Sequence, residues 1–400
     1  MRGKFSIRRL VLGALLSVSV LVGMDIAILQ QVSAAGAWSI SNATGSTALT
    51  GTNFNSVTMS SDGRYMYATA HAIGIFISTD YGKTWAPTPN FTSQDYWTIS
   101  TSNSGQHVYA ASHFGDVWYS SDYGINWTKR TVAPQTGYSW ATLEVSGNGQ
   151  TVIIGTETQG LFVSNDFGVT ITQTSLPTTN NWYGVTISDD GLFMTAFEYG
   201  GTHHISTNGG TTWTAGTLPS GGYFESAGSK TGQYLAAIAP NDGIYTSSDY
   251  GNTWTKQPSA PAVVWYDIEM SANGKYLIAA ETLGDIWTST DYGVTWVNET
   301  TGTGLTGEEF QYVDMSDNGA YVITSVRNED LYVGYNAVLG ASTVTPASAA
   351  PTPKAPKTGF GVNMVPRIHM IQISSVIVII TGLTVVLISR TFFRNKTQRF

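Results

Sequence analysis

STDYGKTW, Ser78–Trp85, is a polar octamer closed by a tryptophan, and it recurs along a chain of 400 residues. SSDYGINW lies at 120–127, SSDYGNTW at 247–254 and STDYGVTW at 289–296. Weaker copies are SNDFGVTI at 164–171 and STNGGTTW at 206–213. The third residue (Asp80, Asp122, Asp166, Asn208, Asp249 or Asp291) has a short side-chain oxygen that can accept backbone N–H bonds within a turn. The glycine that follows permits positive φ. The closing Trp of five copies opens a strand and offers a large face for packing. Calcium binding fits poorly, because each turn supplies one carboxylate and the ion takes about six to eight oxygens. The octamer therefore reads as frame.

A second turn alternates with the first. SSDG ends at Gly63, SNSG at Gly105, SGNG at Gly149, SDDG at Gly191, SKTG at Gly232, SANG at Gly274 and SDNG at Gly319. A period near 42 residues with two turn signals per unit matches about four short strands per repeat, which is a propeller blade. Seven such turns predict an all-β, seven-bladed β-propeller over residues 35–337. There are only six octamers, and the seventh blade stops after three strands. Its fourth is expected from the other terminus: GAWSI, Gly36–Ile40, should pair near Leu331–Tyr335 and close the ring, leaving no open edge.

The octamers resemble the Asp-box, or BNR, repeat, roughly S-x-D-x-G-x-T-W. Propellers of that family include sialidases, xyloglucanase-like glycoside hydrolases, sortilin-type receptors and photosystem II assembly factors. The resemblance implies a fold and no single activity.

The ends differ from the middle. Residues 1–34 carry four basic residues, the apolar run Leu10–Val22 and VSA before Ala35. That is a signal-peptide layout; left uncleaved, it would be an anchor. Residues 338–369 form a Pro-, Ala-, Ser- and Thr-rich stalk. Residues 370–389 are an uncharged apolar run long enough to span a bilayer, and 390–400 a basic tail expected in the cytoplasm. APKTG, Ala355–Gly359, resembles the L-P-x-T-G signal at which a sortase cleaves after Thr and joins the protein to the cell wall. That would place the cut between Thr358 and Gly359. Ala355 replaces the leading Leu, and a plain membrane anchor is the other reading. Both predict an exported protein held at the cell surface, with the propeller outside.

Residues 35–345 hold 26 acidic and 8 basic residues, a net of −18. Such a surface repels nucleic acid and favours neutral or cationic partners. The chain has no cysteine, so an exported form relies on its core.

Both recurrent turns fall on one face of a four-stranded meander. The other face, built of hairpin and inter-blade loops, is irregular, and binding residues favour such surfaces. Every inner strand opens there with an aromatic: Phe54, Tyr96, Trp140, Trp182, Tyr223, Trp265 or Phe310. Several have a second beside them (Trp97, Tyr183, Phe224, Tyr266). The loops add His71, His113, Glu157, Glu198, Glu281 and Arg327. Aromatic platforms beside polar groups suit a glycan; packing between blades is the other reading, and the presence of an aromatic in all seven blades favours it. As platforms, Trp140, Trp182, Tyr223 and Trp265 would hold a ligand off-centre, towards blades three to six.

The leading expectation is thus a non-enzymatic propeller that binds a glycan or a surface protein. An exported glycoside hydrolase is the alternative, because Glu144, Glu225, Asp267, Glu269 and Asp314 lie on inner strands and two of them could act as acid and base. An envelope-assembly scaffold is a third. The propeller has three arginines (Arg64, Arg130, Arg327), too few for the carboxylate-holding cluster of a sialidase. No phosphate loop, metal-ligand cluster or nucleophile–base pair stands out, so no cofactor or metal is expected. His203 and His204 are adjacent on a strand, point to opposite faces and make a poor metal pair.

Overall fold

The computed structural model describes residues 38–42 and 52–336, with breaks at 90–94, 133–136, 220, 240–241, 283, 302–307 and 328–330. The predicted leader, stalk, sorting motif, membrane span and basic tail lie outside the described residues.

Seven four-stranded antiparallel sheets form the blades of a propeller. Blade three shows the plan: Trp140–Val145 innermost, then Val152–Thr156, Leu161–Ser164 and the short outer Thr172–Gln173. Blade seven is composite. Its inner three strands come from Phe310–Asn336, and Trp38–Asn42 adds the outer one. Trp38 pairs with Asn336 and Asn42 with Tyr332, so the two ends of the ring are fastened by a sheet.

The Ser-x-x-Gly turns explain why the ring is tight. In the first, the Ser60 hydroxyl accepts from the Tyr65 N–H (3.0 Å) and donates to Asp62 (2.7 Å). Gly63 has φ +74°, and a Cβ there would lie 2.8 Å from the Tyr321 ring of blade seven. The second residue of each turn donates its N–H to the carbonyl of its counterpart in the next blade. The bonds run Ser61→Asn103→Gly147→Asp189→Lys230→Ala272→Asp317→Ser61, at 2.8–3.0 Å. This closed belt satisfies seven backbone donors and seven acceptors around the axis.

The octamers close the outer hairpins on the same face. Ser78 Oγ donates to Asp80 (2.9 Å) and accepts from the Gly82 N–H (2.9 Å). Asp80 also accepts the Thr84 N–H (2.9 Å) and hydroxyl (2.7 Å), and the Trp85 indole N–H donates to the Gly82 carbonyl (3.1 Å). Burial acts to raise the Asp80 pKa, but these bonds outweigh it and hold the carboxyl below its ordinary range. The aromatic at octamer position four, in left-handed backbone (Tyr81 φ +64°), packs on the preceding blade. Tyr81 stacks on Tyr321 (4.9 Å), Tyr123 on Tyr65 (4.6 Å) and Tyr292 on Tyr234 (4.6 Å). These octamers are therefore both turns and inter-blade fasteners; in blade four, where Gly209 takes the aromatic's place, its carbonyl accepts from the Asn165 side-chain amide of blade three (3.2 Å).

Candidate binding site

The inner strands surround a central channel with a cavity of about 230 Å³. Two features aim side chains into it. Strand alternation sends residues three and five of an inner strand towards the axis. A β-bulge at residue two, present in blades one, two, three, four and six and wider in blade seven, breaks that alternation at the irregular face.

The bulge separates paired aromatics. The first of each pair goes into the core: Phe54, Tyr96, Trp140, Trp182, Tyr223, Trp265 and Phe310 are at most 2% exposed. This corrects the expectation that Trp140, Trp182, Tyr223 and Trp265 are ligand platforms, since stacking on a sugar needs an open face. Trp140 donates its indole N–H to the Gly115 carbonyl (3.1 Å) and Trp182 to that of Pro177 (3.3 Å). The second of each pair stays half-buried at the mouth. Tyr183 meets Phe224 at 5.2 Å, Phe224 meets Tyr266 at 6.1 Å, and Tyr266 meets Tyr312 at 5.3 Å. Tyr199, half exposed, joins at Tyr183 (5.8 Å). The result is an aromatic arc over blades four to seven. Across the mouth Trp97 stacks on His113 at 4.0 Å, and His113 on the exposed Phe114 at 3.9 Å.

Below the arc, the channel gathers the five inner-strand carboxylates Glu144, Glu225, Asp267, Glu269 and Asp314. Asp267 accepts the N–H groups of Ile268 and Val313 (both 2.8 Å), bridging blades six and seven. Asp314 accepts those of Met315 (2.6 Å) and Met59 (2.5 Å), bridging blades seven and one. Glu144 accepts the Ser100 hydroxyl (3.0 Å). Burial pushes Glu144 up to about 7, against the Ser100 bond. It pushes Asp267 to about 7 as well, despite its two N–H donors. Glu225, Glu269 and Asp314 are raised well above the ordinary range by burial and by their carboxylate neighbours. Burial thus favours the neutral form of all five carboxyls.

Lys230, from the fifth Ser-x-x-Gly turn, lies across the far end. Its ammonium donates to Ser61 Oγ (2.5 Å) and Asn103 Oδ1, pairs with Asp317 (2.7 Å) and lies 3.7 Å from Asp189. One side chain thus ties blade five to blades one, two, four and seven. SKTG is the only one of the seven turns with a basic residue, but the sequence gives no sign of which blades that residue reaches.

The six predicted loop residues are on the irregular face, but each is engaged locally. His71 pairs with Asp95 (2.8 Å), Glu157 accepts from Ser139 (2.6 Å), and Arg327 pairs with Glu309 (3.3 Å). Glu198 lies 3.8 Å from His204, Glu281 accepts the Trp287 indole N–H (3.4 Å), and His113 is inside the aromatic stack. His203 is buried against Phe197, and burial lowers its pKa to about 4; His204 faces Glu198. Among the described residues no three acidic or histidine side chains are grouped as metal ligands would be. Phe114 and Lys230 escaped sequence reading. HFGD, at 113–116, was the one available signal for Phe114, an aromatic placed where a hairpin needs a turn residue.

The BNR-Asp box repeat family matches residues 244–257, the third strand and octamer of blade five. Among solved structures the chain is similar to YCF48 bound to D1 peptide, at 15% identity and TM-score 0.58, over 75% of this chain and 97% of that one. It is similar to YCF48 from Cyanidioschyzon merolae at 13% and 0.59, over 75% and 99%. The GH74 xyloglucanase from Xanthomonas campestris gives 13% and 0.59, over 75% of this chain and 54% of the enzyme, about half its length. At these identities the likeness is one of fold. No curated protein matches the chain by sequence.

Proposed function

Since the chain is a seven-bladed β-propeller of the Asp-box family, a fold that serves many activities, we propose that it is a surface-displayed, non-enzymatic binding protein whose ligand docks at the mouth of the irregular face. The observation that supports this best is the contrast in aromatic exposure. Phe114 (65% exposed) and Tyr199 (51%) are the most exposed aromatics among the described residues, ahead of the octamer tyrosines Tyr250 (43%) and Tyr292 (40%), each of which meets a ring of the preceding blade. A soluble surface rarely presents clustered aromatics without a partner. The ligand is a glycan or a surface protein. YCF48, a propeller of similar fold, has been solved with a peptide bound, which favours a protein segment. The leader, stalk and span would carry the propeller outside the membrane, with Thr358–Gly359 as the sorting junction where a sortase acts and the wall as its attachment.

The hydrolase reading keeps one specific support: Glu144 and Asp267, with pKa values of about 7, share the channel, and a general acid at neutral pH needs such a group. The two readings separate on the full chain in non-ionic detergent, tested on glycan and peptide arrays and on a chromogenic glycoside panel. Saturable binding without turnover, lost in Phe114→Ser at an unchanged melting temperature, supports the binding protein. Glycoside turnover that disappears in Glu144→Gln would establish the hydrolase instead.

A further inference from the structure

We propose that the mouth receives a lysine or arginine side chain from an extended segment of a partner protein, its apolar stem against the aromatic arc and its cationic head in the acidic channel. This rests on the irregular face being the docking surface and adds the chemistry of what docks there.

The shape of the mouth carries the first part. An arc of four rings, Tyr183, Phe224, Tyr266 and Tyr312, faces the Trp97–His113–Phe114 stack across an opening that leads into a cavity of about 230 Å³. Phe114 does little for folding. It is 65% exposed, its φ of +54° is a left-handed conformation that bulky residues avoid, and its ring rests on His113. Aromatic faces attract a cation within about 6 Å.

Charge complementarity selects the occupant. The mouth-side cations are already matched: Lys129 pairs with Asp116 (2.6 Å), Arg327 with Glu309 (3.3 Å) and Lys256 with Asp242. Inside, five carboxylates share a channel whose only lysine or arginine among the described lining residues is Lys230. That ammonium is at the far end, committed to Asp317, Asp189, Ser61 and Asn103. Glu225 and Asp267, nearest the arc, have no cationic partner among the described residues. A neutral sugar brings no charge that would draw these carboxyls into their ionised form. A metal ion would need ligands grouped more closely than these are.

A cation entering the channel favours ionised carboxylates and so expels the protons they hold. The groups facing it are Glu144, Glu225, Asp267, Glu269 and Asp314 on the walls, Tyr312 and Tyr266 above, and Lys230 with Asp189 and Asp317 below. Binding of the cation should therefore release protons and tighten as pH rises towards neutrality.

The test uses the full chain in detergent and randomised hexapeptides with one central Lys, Arg, norleucine, Gln or Glu, read by calorimetry in buffers of different ionisation enthalpy. Calcium chloride alone is a parallel arm. The expected result is a preference of at least about tenfold for Lys or Arg over norleucine, with proton release, and loss of that preference in Glu225→Gln. Asp267→Asn serves as a second variant if Glu225→Gln does not fold. Equal binding of Lys and norleucine peptides overturns the proposal, as does calcium binding that Glu225→Gln abolishes but the Lys peptide does not compete with. A glycan or norleucine ligand whose binding still fails in Phe114→Ser would leave the docking face intact while removing the cation. Binding indifferent to Phe114 removes the face itself.

Discussion

The two faces of the ring are built from the same strands and differ in how they spend their side chains. On the turn face the recurrent serines and carboxylates are tied into their own turns. Asp80, Asp122, Asp249 and Asp291 each accept hydrogen bonds from the serine and threonine or asparagine of their own octamer. The second residue of every Ser-x-x-Gly turn donates to the next blade. On the irregular face a bulge frees residues of six of the seven inner strands from the ladder, and these, with loop residues such as Phe114 and Tyr199, form the mouth. Repetition in this protein marks structure, and the break in repetition marks the surface proposed above for binding.

The largest expected effect lies in the core between the faces. Trp182 is fully buried and its indole is bonded to Pro177. Trp182→Ala should cost roughly 3–5 kcal/mol of stability as a core aromatic, read as a much lower melting temperature. Unchanged affinity in whatever remains folded is part of the prediction. A variant that melts like the parent but loses its ligand would return this tryptophan to the binding surface.

Next comes the channel. A carboxyl whose pKa is raised on folding binds more protons folded than unfolded between its ordinary value and the raised one, so stability falls as pH rises through that window. For Glu144 the window runs from 4.5 to about 7. Burial, Asp314 and Glu144 raise Glu269 above the same starting value. Burial lowers the pKa of His203, His204 and His107, which acts in the opposite sense below about 6.5, but the five channel carboxyls outweigh them, and the protein should melt higher at about pH 5 than at about pH 8. Glu269→Gln should raise the melting temperature by a few degrees at the higher pH and change it little at the lower. A melting temperature that climbs from acid to neutral pH would contradict the sign.

The octamers should respond more modestly. Asp122 accepts from Ser120 (2.9 Å) and from the Asn126 N–H (2.8 Å) and amide (2.6 Å). Asp122→Ala should cost about 1 kcal/mol, comparable to a lost helix cap, and leave ligand affinity alone. A denaturant titration with a binding assay on the same sample checks both halves.

Much of this frame was legible. The period, the blade count, the closure by the N-terminal strand and the structural duty of the octamers follow from turn chemistry and strand length, which are local properties. The channel carboxylates were legible as inner-strand residues too. The direction of the aromatics was not. A strict two-residue period puts neighbours on opposite faces without saying which faces the axis, and a bulge changes the answer at the position that matters. Lys230 was hidden because its four partners come from turns 41 to 169 residues away. The stacking of Tyr81 on Tyr321 spans the two ends of the chain and has no local signature either.

The smallest stability effect should come from Phe114. Gly relieves its left-handed backbone and the ring buries little, so Phe114→Gly should change stability by no more than about 0.5 kcal/mol in either direction. The same change should weaken binding.

The most direct test of the division between the faces is hydrogen exchange on the full chain, with and without a ligand taken from the arrays. Protection is expected at 97–99, 113–116, 183–185, 198–201 and 224–226, around the mouth, with the octamer turns at 80–85, 122–127 and 291–296 unchanged. Protection concentrated in those octamers, with the mouth unaffected, would contradict the assignment of frame and working surface.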